Sequence, residues 1–134
     1  MSKVVGIDLG TTNSLVAVVE GGRPVVITDA QGDGLVPSVV SLANDGTLLV
    51  GREAQQRLLT DAERTIYSAK RFMGKGIDDV AQEAALLPFR VSGESGGVVR
   101  IGIGGREFTP PEVGAIVLRA LKQRAETYFA AQGD

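Results

Sequence analysis

The chain has 134 residues, 43% of them hydrophobic, with mixed charges that leave a formal net charge of −2, and it has neither cysteine nor histidine. A chain of this length packing as one body buries roughly 68% of its unfolded surface, and its charge argues against a nucleic-acid partner held mainly through phosphates. Without thiols or imidazoles there is no disulfide framework, Ser-His-Asp triad or histidine metal site, so carboxylates, lysines and hydroxyls must carry any chemistry. The apolar run after Met-Ser-Lys is interrupted by Asp8 and is too short for a signal-peptide core. No apolar segment approaches the ~20 residues a membrane span needs, so a cytoplasmic location is expected, with no membrane partner. There is no internal repeat, low-complexity tract or single-sign charge block.

In chain order, the β-branched apolar run of Val4, Val5, Ile7 and Leu9 predicts a buried strand over 4–9, followed by strands over 15–20 and 24–27. Gly21-Gly22 suits a primed hairpin turn between the last two. After a polar loop at 31–34, residues 37–42 and 47–50 read as a hairpin about Asn44-Asp45-Gly46. Helices are expected over 52–59, over 65–73 with Gly74 and Gly76 as the stop, and over 78–86. From Arg90 the pattern returns to strands, with Val99, Ile101 and Ile103 on one face and Val98, Arg100 and Gly102 on the other; Gly104-Gly105 then turns the chain into 106–108. The glycines of 93–105 fall where two hairpin turns need them, which favours turns over a second phosphate loop. Thr109 and Glu112 form a capping box for one long helix, whose start Pro111 blurs by a residue. Its apolar stripe, Val113, Ile116, Val117, Ala120, Leu121 and Tyr128, packs one face on a sheet.

Between the first two strands, residues 6–14 read GIDLGTTNS. The chemistry such a turn can carry follows from its parts. Gly10 frees the backbone and clears a path for a ligand, and the successive N–H groups of Thr11, Thr12 and Asn13 are positioned to converge as an anion-binding nest. Asp8 beside it repels a phosphate unless a divalent cation lies between them, held directly or through water. A glycine turn flanked by threonines is also a common hairpin ending, and the residues alone leave both readings open.

GIDLGTTNS resembles the first phosphate-binding motif of the DnaK-type heat-shock chaperone family, whose ATPase shares a fold with actin and sugar kinases. No Walker motif is present; that loop joins a strand to a helix and ends in Gly-Lys-Ser/Thr. The resemblance extends, in order and spacing, through LVPSVVSL at 35–42, LVGREA at 49–54, TIYSAKRFMG at 65–74, LPF at 87–89 and FTPPE at 108–112. It runs from about residue 3 to the end of the chain. The family's later phosphate, adenosine and hinge motifs and its peptide-binding domain do not occur in these residues.

The resemblance implies an α/β, ribonuclease H-like (actin-like ATPase) half-lobe with a mixed sheet, hairpins and one long C-terminal helix. Residues 1–37 and 110–134 are then the first part of the core subdomain, and 38–109 a smaller inserted α+β subdomain. It implies ATP/ADP and Mg as ligands, with Asp8 on the metal and Gly10, Thr11, Thr12, Asn13 and Lys70 on the phosphates. Lys70, taken alone, reads as a solvated surface lysine; by resemblance it is the catalytic lysine that positions the γ-phosphate and the attacking water, a role that suits phosphoryl transfer. Arg71 is expected to be a structural ion-pair residue nearby. Implied partners are unfolded client peptides, a J-domain co-chaperone and a nucleotide-exchange factor. The same scaffold in a small-molecule kinase or filament ATPase is the alternative, and a stand-alone interaction module is a third reading that no motif supports. Gln132-Gly133-Asp134 reads as a boundary where the family chain enters its next strand. Residues 1–134 alone, with no adenosine pocket, are expected not to hydrolyse ATP.

Overall fold

The computed structural model describes residues 3–133; Met1, Ser2 and Asp134, including the last residue of the expected boundary, lie outside the described residues. Strands β1 (Gly6–Leu9), β2 (Asn13–Glu20) and β3 (Arg23–Val26) form a meander, and the short β4 (Val36–Pro37) pairs with the start of β2. A second sheet has the order β6-β5-β7, from β5 (Val39–Leu42), β6 (Leu48–Val50) and β7 (Thr65–Tyr67). A third, β10-β9-β8, comprises β8 (Arg90–Ser92), β9 (Arg100–Ile103) and β10 (Arg106–Phe108). Helices α1 (Arg52–Gln56) and α2 (Ile77–Ala84) are short, and α3 (Pro110–Ala131) is long. No helix among the described residues is long and apolar enough to cross a membrane.

The expected hairpins form because their turns supply the required backbone. Gly21 and Gly22 both have positive φ, 56° and 79°, the primed geometry whose twist matches that of the flanking strands. Residues Val99, Ile101 and Ile103 are buried and Val98 is exposed, as the alternation predicts. Along α3, Val113, Val117, Leu121 and Ala125 make the buried stripe, with Ile116 and Tyr128 at its margin. That stripe joins both halves of the molecule: Val16, Ile27 and Val36 from the first sheet and Val40, Leu42, Ile66 and Phe72 from the next segment belong to one hydrophobic cluster with it. Each fully buried Val or Leu side chain contributes about 1.5–3 kcal/mol.

Four expectations differ from what is observed. All paired strands among the described residues are antiparallel, so the sheet of the expected half-lobe is not mixed. Short turns join most neighbouring strands, whereas a parallel pair needs a long crossover between its members. Strand β1 is not buried: among the described residues it pairs only with β2, Ile7 is 41% exposed, and Val4 ahead of it is 84% exposed. The expected helix over 65–73 is instead β7, followed by a 3-10 turn over Ala69–Phe72. Thr65 and Ile66 are β-branched and find ladder partners in Ser41 and Val40 of β5, and the Thr65 and Ser41 hydroxyls pair at 2.9 Å. Helix α1 stops at Gln56, after which Arg57 and Leu58 donate to the carbonyls of Ala54 and Gln55, tightening the last turn.

The long helix starts as the capping box requires. The Thr109 N–H donates to Glu112 Oε1 at 2.9 Å, the Glu112 N–H donates to Thr109 Oγ1 at 3.4 Å, and Pro110 occupies the first helical position. The hydrogen bond from the Thr109 N–H holds the Glu112 carboxyl below the ordinary carboxylate range. Because folding lowers this pKa, the stabilisation is complete above the unfolded-state value and is lost as pH falls through the folded one. Thr109→Ala is expected to cost about 1 kcal/mol in urea denaturation, and Glu112→Gln to flatten the acid limb of stability against pH; an unchanged acid limb refutes the assignment.

Candidate functional site

The turn between β1 and β2 is held from one side by its carbonyls. Ser38, the single residue between β4 and β5, donates its hydroxyl to the Gly10 carbonyl at 2.8 Å and its N–H to the Thr12 carbonyl at 2.9 Å. The buried Ser14 hydroxyl lies 2.8 Å from the Ser38 hydroxyl. From the 3-10 turn, Lys70 donates its ammonium to the Leu9 carbonyl at 2.6 Å. All peptide bonds among the described residues are trans, and in a planar trans peptide the C=O and the following N–H point in opposite directions. The N–H groups of Thr11 and Asn13 therefore point away from Ser38, and that of Gly10 away from the ammonium. Among the described residues the amides of Gly10, Thr11 and Thr12 donate to no acceptor in the protein, nor do the side chains of Thr11, Thr12 and Asn13 form hydrogen bonds.

Gly10 is needed here for a steric reason and not for left-handed dihedrals. Its φ is not positive; instead a Cβ on it would lie 2.1 Å from the Asn13 carbonyl oxygen, so the turn closes tightly on its own backbone.

Lys70 reaches the turn because of how its segment is built. β7 runs along β5, and then Ser68 takes left-handed dihedrals, φ 57° and ψ 27°, the one non-glycine positive φ among the described residues. That bend starts the 3-10 turn, whose Ala69 and Phe72 are buried and leave Lys70 exposed. Strain of this kind, of order 1–3 kcal/mol, persists where the surroundings over-determine it and clusters at functional positions. Behind the lysine, α3 approaches closely through Gly114, where a Cβ would meet Met73 Cε at 2.6 Å and Leu9 at 3.5 Å. Leu9, Gly10, Ser38, Lys70, Met73 and Gly114 thus line one small cavity at the junction.

The residues singled out by sequence are accordingly brought together in part. Gly10, Thr11, Thr12 and Asn13 form one turn or its border, and Lys70 meets it at a carbonyl. Asp8 is exposed in β1 opposite Leu15, and its carboxylate has no hydrogen bond or ion pair among the described residues. Arg71 is exposed and has no ion pair among the described residues, contrary to the expectation for it. No group of three or more metal-ligating side chains exists among them. A lone carboxylate beside open N–H and hydroxyl donors nevertheless fits Mg, which keeps most of its water and uses one or two carboxylates plus substrate phosphates. Ser38, Ser14 and Gly114 were not legible as site residues. Ser38 lies 28 positions from Gly10, and nothing local in the sequence links the two.

Gly10→Ala forces a Cβ into the Asn13 carbonyl. It should destabilise the chain by about 1–3 kcal/mol, the range for overpacking, read as a lower denaturant midpoint; a variant as stable as wild type contradicts the closed turn.

The Hsp70 protein family model matches residues 4–132, from ahead of β1 to the end of α3. Members of that family are chaperone ATPases of actin-like fold that bind ATP or ADP with magnesium. The match covers nearly the whole chain, including every strand and helix that builds the junction of Lys70 with the glycine turn, and the chain belongs to the Hsp70 family.

Proposed function

We propose that these residues form the first part of the nucleotide-binding domain of a DnaK-like chaperone, in which ATP hydrolysis drives a cycle of peptide binding and release. The observation that carries this reading is the meeting of the Lys70 ammonium with a glycine turn in which the Leu9, Gly10 and Thr12 carbonyls are engaged and the Gly10, Thr11 and Thr12 amides are open. Residues 1–37 and 110–134 are assigned to the core subdomain and 38–109 to the smaller inserted one. The change of sheet at Ser38, between β4 and β5, supports that boundary. Unfolded client peptides, a J-domain co-chaperone and a nucleotide-exchange factor are the partners this assignment carries with it.

In the proposed reaction the amides and hydroxyls of Thr11 and Thr12 and the amide of Asn13 bind phosphate oxygens, and Gly10 lets the turn close. A hairpin turn brings no helix dipole, so positive charge must come from elsewhere. Lys70 supplies it: one of its three N–H donors is spent on Leu9, which fixes the ammonium beside the turn, and two remain for a phosphate oxygen and the attacking water. Asp8 would hold a hydrated magnesium ion, which would supply charge neutralisation at the phosphates.

Two substitutions in the full-length ATPase test these roles. Lys70→Ala should raise the hydrolysis barrier by ~2.7–4 kcal/mol, the loss of one preorganised electrostatic donor, with ATP affinity nearly unchanged. Single-turnover hydrolysis at the wild-type rate returns Lys70 to a surface lysine. Asp8→Asn should weaken the magnesium dependence of ATP binding while the fold survives, and an unaltered magnesium titration removes Asp8 from the metal site.

A further inference from the structure

We infer that Ser38 is a positioning residue of the phosphate turn, a role that rests on the reading of residues 10–13 as a phosphate site. Any residue but proline at this position offers its N–H to Thr12; the serine hydroxyl reaches the Gly10 carbonyl as well. The peptide between Gly10 and Thr11 is the one whose orientation matters most. Flipped, it turns a carbonyl toward the anion in place of the Thr11 N–H, exchanging an attractive dipole for a repulsive one. Glycine is demanded at residue 10 by the Asn13 carbonyl, and glycine offers the least resistance to such a flip. The Ser38 hydroxyl supplies the missing restraint by holding the Gly10 carbonyl on the side away from the ligand.

The hydroxyl is itself fixed. Having one hydrogen and donating it to Gly10, Ser38 accepts from Ser14, whose side chain is 1% exposed on β2. The order of donation is therefore Ser14 to Ser38 to Gly10. Because Ser38 is also where the chain leaves the first sheet for the second, the same residue ties the orientation of one peptide to the packing between the two segments.

The test uses Ser38→Ala, Ser38→Thr and Ser14→Ala in the full-length ATPase, with ATP and adenosine binding, Tm and the Thr11 and Thr12 amide resonances as readouts. Ser38→Ala should weaken ATP binding about tenfold, the scale of one hydrogen bond, and leave adenosine binding unchanged, with a lowered Tm because the buried Ser14 hydroxyl loses its partner. Ser38→Thr should restore ATP binding. Ser14→Ala, which keeps the bond to Gly10 but frees the hydroxyl rotor, should give a smaller loss of the same kind and serves if Ser38→Ala does not fold. ATP affinity unchanged in Ser38→Ala, or equal loss for ATP and adenosine, overturns the inference while the phosphate site stands. Wild-type Thr11 and Thr12 resonances that ignore ATP refute the phosphate reading, and the inference with it.

Discussion

The capture of the turn's carbonyls by residues far away in sequence is the constraint on which the rest of the site depends. A loop between two strands has no helix dipole and no lysine of its own. It presents amides in one direction only if something else takes its carbonyls in the other. Ser38 and Lys70 do this, from the chain's crossing between sheets and from a 3-10 turn. The geometry of the turn is thus a tertiary property: its peptides are oriented by the segment that follows β4, and any shift of that segment is felt at the amides.

Helix α3 makes this arrangement rigid. Its buried stripe belongs to one hydrophobic cluster with both segments, so the first sheet and the β5 to β7 segment share a wall. The close approach at Gly114 brings α3 against Leu9 and Met73, directly behind the carbonyl that Lys70 engages. A glycine inside a helix costs roughly 1 kcal/mol relative to alanine; here it leaves room for the Met73 methyl group, which a Cβ would displace. At its other end, the Tyr128 hydroxyl donates to the Glu20 carboxylate, which raises the phenol pKa, and Lys3 lies over the Phe129 ring. The helix is fastened to the first sheet at both ends. By contrast β1 pairs on one side only among the described residues, and Val4, Ile7 and, in β2, Val19 remain exposed.

Much of the fold and part of the site were determined by the sequence alone. Period-two alternation placed Val99, Ile101 and Ile103 inside, paired glycines at 21 and 22 made the hairpin turn, and Thr109 with Glu112 started the long helix, because each signal acts within a few residues. GIDLGTTNS marked the turn for the same reason. What tertiary structure decided were the features that depend on partners distant in sequence. Thr65 to Tyr67 became a strand because β5 offered it a ladder; β1 stayed exposed because among the described residues only β2 pairs with it; Gly10 is confined by Asn13; and Ser38, 28 residues on, orients the turn. Local preferences are worth tenths of a kcal/mol to about one per residue, which a hydrogen-bonded ladder and a buried side chain together outweigh. A linear sequence states those preferences but not which distant group will meet them.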